Sequence, residues 1–429
     1  MSDSAEERSH WQSVIKAFDG YMQYHLSANH ARRMAFLQLP KEQRTIYETI
    51  GFREKLDAVD EGIRRNAEFI DEMIRDPVFA DMLDASDAEQ DGGIDSDHSH
   101  SHSHGVDHGH SHSYSHSQSH HSHSHDAGSS GAKRQRSSSP AQANNDLAQD
   151  KIRSTLRSFV RDWAEEGAGE RAACYAPILE ALEGYFPLSG GRERGNRKVL
   201  VPGCGLGRLA MEIAARGFFS QGNEFSTYML IASHFVLNQT TSPGSHSIFP
   251  YLHSYSNHLT TGTHLLRRVS IPDVVPADVL DGKGGEFSLV AGDFEEIYGE
   301  QSWDVAVGVE GEQGQRGKWA AVVTCFFIDC SRNILSFLRI IHALLEEDGV
   351  WINLGPLLWH FENSPTKSAK GEGSIELSLD EVKELARAVG FDIHEEKMVE
   401  TTYTGIPEGM LQHRYNAAYW TATKRKPVA

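Results

Sequence analysis

The chain has 429 residues, a formal net charge of −19, 39% hydrophobic residues and four cysteines. That length can bury a sizeable core and hold more than one unit, and the acidic balance argues against nucleic acid or an anionic membrane as partners. The cysteines (Cys174, Cys204, Cys325, Cys330) show no C-x-x-C pair and no zinc spacing, so reduced thiols in a cytosolic or nuclear compartment are expected.

The N-terminus, MSDSAEERSH, is charged and carries no leader-like apolar run, and no apolar stretch approaches the roughly 18 residues of a membrane span. Residues 1–92 read as a helical region. Trp11, Val14, Ile15 and Phe18 share one face, and Leu56, Val59, Ile63, Ile70 and Ile74 recur at helical spacing, with Pro77 near the end of the pattern. A polar helical unit that packs onto a larger domain is expected; an independent partner-binding bundle is the alternative. Residues 93–146 differ in kind. Half of the 24 histidines fall between His98 and His125, alternating with serine, and Lys133-Arg134-Gln135-Arg136 with a serine run follows. Such a segment buries too little apolar surface to offset its ordering entropy, so a disordered His/Ser-rich linker inserted in a surface loop is expected. Its imidazoles could hold zinc or nickel loosely, but no dedicated metal centre is expected. The basic tetrapeptide is a short match to a nuclear signal.

From residue 147 to 429 the composition is that of one globular domain. Ile152, Leu156, Phe159, Val160 and Trp163 form a helical stripe, and a second helix is expected around 175–182. Residues 198–215, KVLVPGCGLGRLAMEIAA, then join a β-branched strand at 199–201 to glycines at 203, 205 and 207 and a helix carrying Leu209, Ile213 and Ala214. A helix over 227–238 and a long loop rich in His, Ser, Thr and Pro follow. Strands are expected near 287–293, 303–307, 321–329, 349–355 and 391–393, with helices at 331–345 and 379–389. A last strand at 417–423 has no crossover helix before it and reads as an antiparallel insertion near the edge. This alternation predicts an α/β fold with a doubly wound, mostly parallel, Rossmann-like sheet covered on both faces. Residues 308–319, GVEGEQGQRGKW, fit poorly: a surface loop, a displaced strand or a retained intron would look alike, and exposure is expected.

In open α/β folds ligands bind at the carboxyl ends of the strands. Glu224 ends the second strand, where a ribose diol would be gripped. Asp293 ends the third and could accept from an adenine amino group while Phe294 packs on the ring. Asp329 ends the fourth, over the glycine turn, and His360 lies just beyond the fifth. Each has an ordinary reading too: Asp293 as a helix N-cap, His360 as a satisfied loop histidine. The glycine spacing is G-x-G-x-G, and position 208, where a dinucleotide fingerprint needs glycine, is Arg208. That favours S-adenosylmethionine over a nicotinamide cofactor. Many methyltransferases carry an acid two residues before the first glycine; here that position is Val201, so the methionine end must be held partly by something else.

Several longer runs occur in order: FVRDWAEEG from Phe159, ERAACY from Glu170, LVPGCGLGRL from Leu200, QGNEFS from Gln221, AGDF from Ala291, CFFID from Cys325, WINLGPLLWHFE from Trp351, SIELS from Ser374 and TYT from Thr402. Together they resemble the carnosine N-methyltransferase family, across about 150–429. The resemblance implies a class I methyltransferase fold and methyl transfer from S-adenosylmethionine to an imidazole nitrogen of carnosine (β-alanyl-histidine), giving anserine. It places cofactor contacts on Arg161, Gly203, Glu224, Asp293, Phe294 and Cys325, with Gly205 and Gly207 in the glycine turn; Ser158 stands where the family has glutamine. Arg161 could clamp the cofactor's carboxylate. Substrate contacts fall on Asp329, His360 and Tyr415, with Tyr403 nearby. Asp329 is the candidate for accepting one ring N–H, so that the lone pair of the other nitrogen faces the methyl. No metal enters the scheme, and a homodimer is implied. The alternatives are a methyltransferase for another histidine-containing peptide or a protein histidine, and a non-catalytic His-rich metal-binding protein.

Overall fold

The computed structural model describes residues 3–79, 140–188, 194–304, 314–364, 373–405 and 409–425. Most of the expected His/Ser linker and residues 308–313 of the poorly fitting stretch lie outside the described residues.

Four helices come first: α1 (Asp3–Asp19), α2 (Tyr21–Leu37), α3 (Lys41–Thr49) and α4 (Phe52–Ile74). After them come α5 (Pro140–Trp163) and α6 (Ala168–Tyr185), then β1 (Lys198–Pro202), α7 (Arg208–Ala214), β2 (Phe219–Glu224) and α8 (Thr227–Asn238). The expected long loop instead holds β3 (His246–Ile248), β4 (Val269–Ile271) and α9 (Pro276–Leu280) before β5 (Glu286–Ala291) and α10 (Phe294–Tyr298). The chain closes with β6 (Trp319–Cys325), α11 (Ile334–Leu344), β7 (Leu345–Gly355), α12 (Leu379–Val389), β8 (Phe391–Thr401) and β9 (Tyr415–Lys424).

The main sheet runs β5-β2-β1-β6-β7-β9-β8. Its first five strands are mutually parallel, and β9 enters antiparallel between β7 and β8. The strand order reverses between β1 and β6, which opens a crevice beyond their carboxyl ends, the place where doubly wound sheets bind ligands. Alternate β1 side chains serve opposite faces. Val199 and Val201 pack with Ile178 and Leu182 of α6 and Ile213 of α7, while Leu200 packs with Trp351, Trp420 and the α11 side chains Leu338 and Ile341. A sheet buried on both faces needs such unbroken apolar strands.

Two expectations change. The helix that carries the stripe from Ile152 to Trp163 begins at Pro140, ahead of the domain start expected at residue 147 and inside the expected linker. Proline is favoured at a first helical turn, and this turn carries no apolar stripe that a periodicity reading could detect. The strand expected at 303–307 is absent from its described part: Trp303 and Asp304 close a 3-10 turn, and the β6 strand begins at Trp319.

The N-terminal helices share a core with the larger domain. Val14, Phe18, Ile63, Phe69 and Ile70 pack with Phe159 of α5 and Phe235 of α8. Asn66 fixes the join: its side chain accepts from Phe249 N at 2.7 Å and donates to Phe249 O at 2.9 Å and to the Tyr21 hydroxyl at 2.9 Å. No helix among the described residues is long and apolar enough to cross a membrane.

A helix leaves its last carbonyls without partners, and α5 ends inside the protein. Arg171 Nη1 donates to Arg161 O at 2.8 Å and Ala164 O at 2.7 Å, Arg208 Nη1 to Asp162 O at 3.0 Å, and Asp273 N to Trp163 O at 2.8 Å. The two guanidinium groups share the Asp273 carboxylate, each at 2.6 Å. Gly167 must pass close by, since a Cβ there would stand 2.3 Å from Arg161 O. Removing one partner of a buried ion network leaves uncompensated charge, at a cost of about 3 kcal/mol. Asp273→Ala is therefore expected to lower stability by about that much in chemical denaturation. Asp304→Ala, which breaks the exposed pair with Arg316, should change it by less than about 1 kcal/mol. Equal effects would contradict this reading of the α5 terminus.

Candidate functional site

The crevice beyond β1 and β6 is a cavity of about 830 Å³ including its open mouth. Its walls come from the last turn of α5, the glycine turn, the ends of β2 and β6, and the start of α10. Of the sequence-predicted residues, Arg161, Gly203, Gly205, Glu224, Asp293, Phe294, Cys325, His360 and Tyr403 all line it.

The glycine turn is tied to β2. Glu224 Oε2 accepts from Gly205 N at 2.9 Å, and Oε1 accepts from Phe225 N at 2.9 Å and Ser226 N at 2.8 Å. Burial raises the Glu224 pKa, and these three N–H groups pull it back. A carboxylate holds about four lone pairs, so capacity remains for a diol. Gly203 has φ +64, and a Cβ there would lie 2.5 Å from Phe327 Cδ2. Only glycine meets both demands.

At one end, Asp293 Oδ1 caps α10 by accepting from Glu295 N at 2.8 Å and Glu296 N at 3.2 Å, so the ordinary N-cap reading holds alongside its place in the wall. Phe294 beside it meets Phe327 and Phe337 edge-on, with ring centroids 5.4 Å and 5.1 Å apart. At the other end, Arg161 Nη1 donates to Asp162 Oδ1 at 3.0 Å, its Nε stands 3.1 Å from Glu170 Oε1 without hydrogen-bond alignment, and its guanidinium lies 4.7 Å from the Tyr403 ring centre. Burial works against the Arg161 charge, and Tyr175 and Asp162 more than restore it. An aromatic end, a central carboxylate and a buried cation fit the parts of S-adenosylmethionine: base, ribose and amino-acid tail.

Opposite the glycine turn, Cys330 and His360 complete the wall, with Cys330 Sγ 3.9 Å from His360 Nε2. Burial raises the Cys325 and Cys330 thiols, which keeps them neutral walls rather than nucleophiles. Asp329, only 2% exposed, belongs to the turn after β6; its Oδ2 accepts from Leu358 N at 2.9 Å and its carbonyl from His360 N at 3.1 Å. Polar atoms of Asp329, Cys330 and His360 thus converge within 4.8 Å of one another. Burial pushes the Asp329 carboxyl up to about 7, against the pull of Leu358 N–H.

Three sequence expectations are placed differently. Gly207 does not line the cavity: at φ +81 it starts α7, and a Cβ there would meet Leu237 Cδ1 at 3.2 Å. The third glycine serves the helix start rather than a ligand. Phe327, not Asp329, lies directly against Gly203, because the polypeptide turns tightly after β6. Tyr415, like Asp329, stands outside the cavity lining, behind Phe326 at a ring distance of 5.7 Å.

Sequence reading also passed over Asp162, Phe326 and Cys330, all in the wall. Phe326 holds φ +54, strained for a side chain of its size, and its ring lies tilted against that of Tyr403, with centroids 4.8 Å apart. Nothing in the sequence announces that conformation. Asp162 did leave a signal, as a charged residue set within the apolar stripe between Val160 and Trp163.

Comparison with known proteins agrees with this geometry. The family model CARME, carnosine N-methyltransferase, matches residues 138–426. The chain is 40% identical over 287 residues to the carnosine N-methyltransferase of Schizosaccharomyces pombe, covering 66% of this chain and 73% of that protein. It is 39% identical over 279 residues to the Mus musculus carnosine N-methyltransferase, covering 64% of this chain and 63% of the mouse protein. With the Drosophila melanogaster carnosine N-methyltransferase unmet it shares 38% identity, and the match covers 55% of the fly protein. The chain thus spans less than two thirds of the mouse and fly relatives. Among solved structures, the magnesium protoporphyrin IX methyltransferase of Synechocystis with bound SAH is 12% identical, covers 66% of this chain and 99% of its own, and superposes at a TM-score of 0.35. The fold assignment rests on strand order rather than on that superposition. With the match running from residue 138 to 426, the chain belongs to the carnosine N-methyltransferase family.

Proposed function

We propose that the protein methylates an imidazole nitrogen of carnosine, with S-adenosylmethionine as donor and anserine as product. One observation carries this reading: a single cavity joins a cofactor-shaped half, from Phe294 through Glu224 to Arg161, to a polar end at Cys330 and His360, with the Asp329 carboxylate just behind that wall and within 4.8 Å of both side chains. When bound, the cofactor supplies an electrophilic methyl on its sulfonium.

The residues have modest chemical work to do. An imidazole of pKa near 6.5 is mostly neutral at pH 7, so its pyridine-like nitrogen needs no strong base. The protein must select the tautomer and fix the ring. Asp329, anchored through Leu358 N–H, retains lone pairs for an imidazole N–H and, when ionised, stabilises the imidazolium formed by transfer. His360 and the Phe326–Tyr403 ring pair orient the imidazole, and Tyr415 backs Phe326 edge-on. The remaining acceleration comes from alignment and exclusion of water. The four free cysteines suit a cytosolic or nuclear site of action. A homodimer belongs to the same reading, by family resemblance alone.

Transfer of labelled methyl to carnosine, with mass and NMR identification of a ring-methylated product, tests the reading. Cofactor binding without transfer to carnosine would overturn the substrate assignment. His360→Gln is expected to raise KM for carnosine at least about tenfold, the cost of one lost polar contact, while the affinity for S-adenosylhomocysteine stays unchanged. Unchanged KM would remove His360 from the acceptor site.

The Asp329 carboxyl, at about 7, adds a second ionisation to that of carnosine itself. Plotted logarithmically, kcat/KM should rise with pH at a slope of about 2 on the acid side, and at about 1 for Asp329→Asn, where only the substrate titrates. Stability carries the opposite sign. The native state holds this proton more tightly than the unfolded chain, so the cost of ionised Asp329 is absent below the ordinary value of 3.8 and grows up to about 7. Asp329→Asn should therefore gain stability relative to wild type as pH rises through that window. Parallel stability curves would contradict the buried, hard-to-ionise carboxyl.

A further inference from the structure

Position 201, where an acid was expected to serve the amino-acid end of the cofactor, is a valine buried in β1. The structure supplies a carboxylate from another element. Asp162, in the last turn of α5, is 2% exposed and lines the cavity. Its Oδ1 is taken up by Arg161 Nη1 at 3.0 Å and the Tyr175 hydroxyl at 2.9 Å. Its Oδ2 faces the glycine turn, 3.8 Å from where a Cβ of Gly205 would stand, and no group among the described residues donates to it. A carboxylate oxygen at a cavity wall with no protein donor keeps its lone pairs for a ligand's N–H.

We propose that Asp162 Oδ2 receives the α-ammonium of the cofactor, while the neighbouring Arg161 guanidinium receives its α-carboxylate. The assignment rests on the cofactor reading above. Two adjacent residues then present the complement of a zwitterion, cation for carboxylate and carboxylate for ammonium. Both backbone carbonyls are held by Arg171 and Arg208, so the pair is positioned before any ligand arrives. Oδ1 has a separate task, fixing the fork of Arg161 through one hydrogen bond and the carboxylate plane through Tyr175. The site would thereby select ligands with a free amino-acid end and reject thioether nucleosides that lack the ammonium.

The test is equilibrium calorimetry on the full chain with S-adenosylhomocysteine and its desamino analogue, in which hydrogen replaces the amino group. Wild type should prefer the amino compound at least about tenfold, the range of one charge-assisted hydrogen bond. Asp162→Asn should reduce that preference to less than about threefold, mainly by weakening the amino compound. Tyr175→Phe, which leaves Oδ2 in place, should keep the preference. Should Asp162→Asn fail to fold, Asp162→Ser, smaller and able to accept from Tyr175, should show the same loss. A preference that survives in the Asp162 variants overturns the assignment and leaves the cofactor reading standing. Wild type that binds neither compound overturns both.

Discussion

The site depends on how α5 ends. A helix that terminates in the interior exposes a row of carbonyls with no water to satisfy them, and here the residues 161–164 each find a donor in Arg171, Arg208 or the Asp273 backbone. Cations near a helix C-terminus also suit its dipole. Because both arginines share one carboxylate, the α5 terminus, the start of α6, the start of α7 and the loop after β4 are fixed against one another. The side chains of Arg161 and Asp162 point from this fixed turn into the cavity. The geometry of the amino-acid end of the site is thus set by backbone capping, one layer away from any ligand.

The other end is set by the sheet. Reversal of strand order between β1 and β6 opens the crevice, Glu224 ties the glycine turn to the end of β2, and the tight turn after β6 presses Phe327 onto Gly203. That turn also sends Asp329 sideways to Leu358 N–H and so couples the loop after β6 to the loop after β7. The strained Phe326 backbone belongs to the same device: it places an aromatic ring between Tyr403 and Tyr415, on strand ends that meet only in the folded sheet.

What was legible in the sequence is what depends on neighbours in the chain. The β1–glycine–α7 unit, Glu224 at the end of β2, the α11 and α12 stripes and the antiparallel last strand follow from periodicity and turn chemistry. The resemblance brought Arg161, His360 and Tyr403 to one cavity from three distant stretches, which no local rule could do. Elements without a periodic stripe escaped: the polar first turns of α5, and the β3 and β4 strands of three residues each amid Ser, His and Thr. Alternating glycines look equivalent on paper, so the spacing points to Gly207 as a ligand contact; in three dimensions the third glycine lies past the turn and starts α7. Asp162 was overlooked because its role depends on what α5 packs against, and Phe326 because a left-handed phenylalanine leaves no trace in composition.

The most direct test of this account is the affinity of Asp273→Asn for S-adenosylhomocysteine, measured at a temperature where the variant remains folded. Asp273 lies outside the cavity lining, yet it anchors both arginines that hold the α5 carbonyls. The account predicts binding at least about tenfold weaker than wild type, because Arg161 and Asp162 lose their fixed placement before the ligand arrives. A destabilised variant that binds with unchanged affinity would contradict it, and would show that the ligand-facing turn holds its geometry without the capping network beneath it.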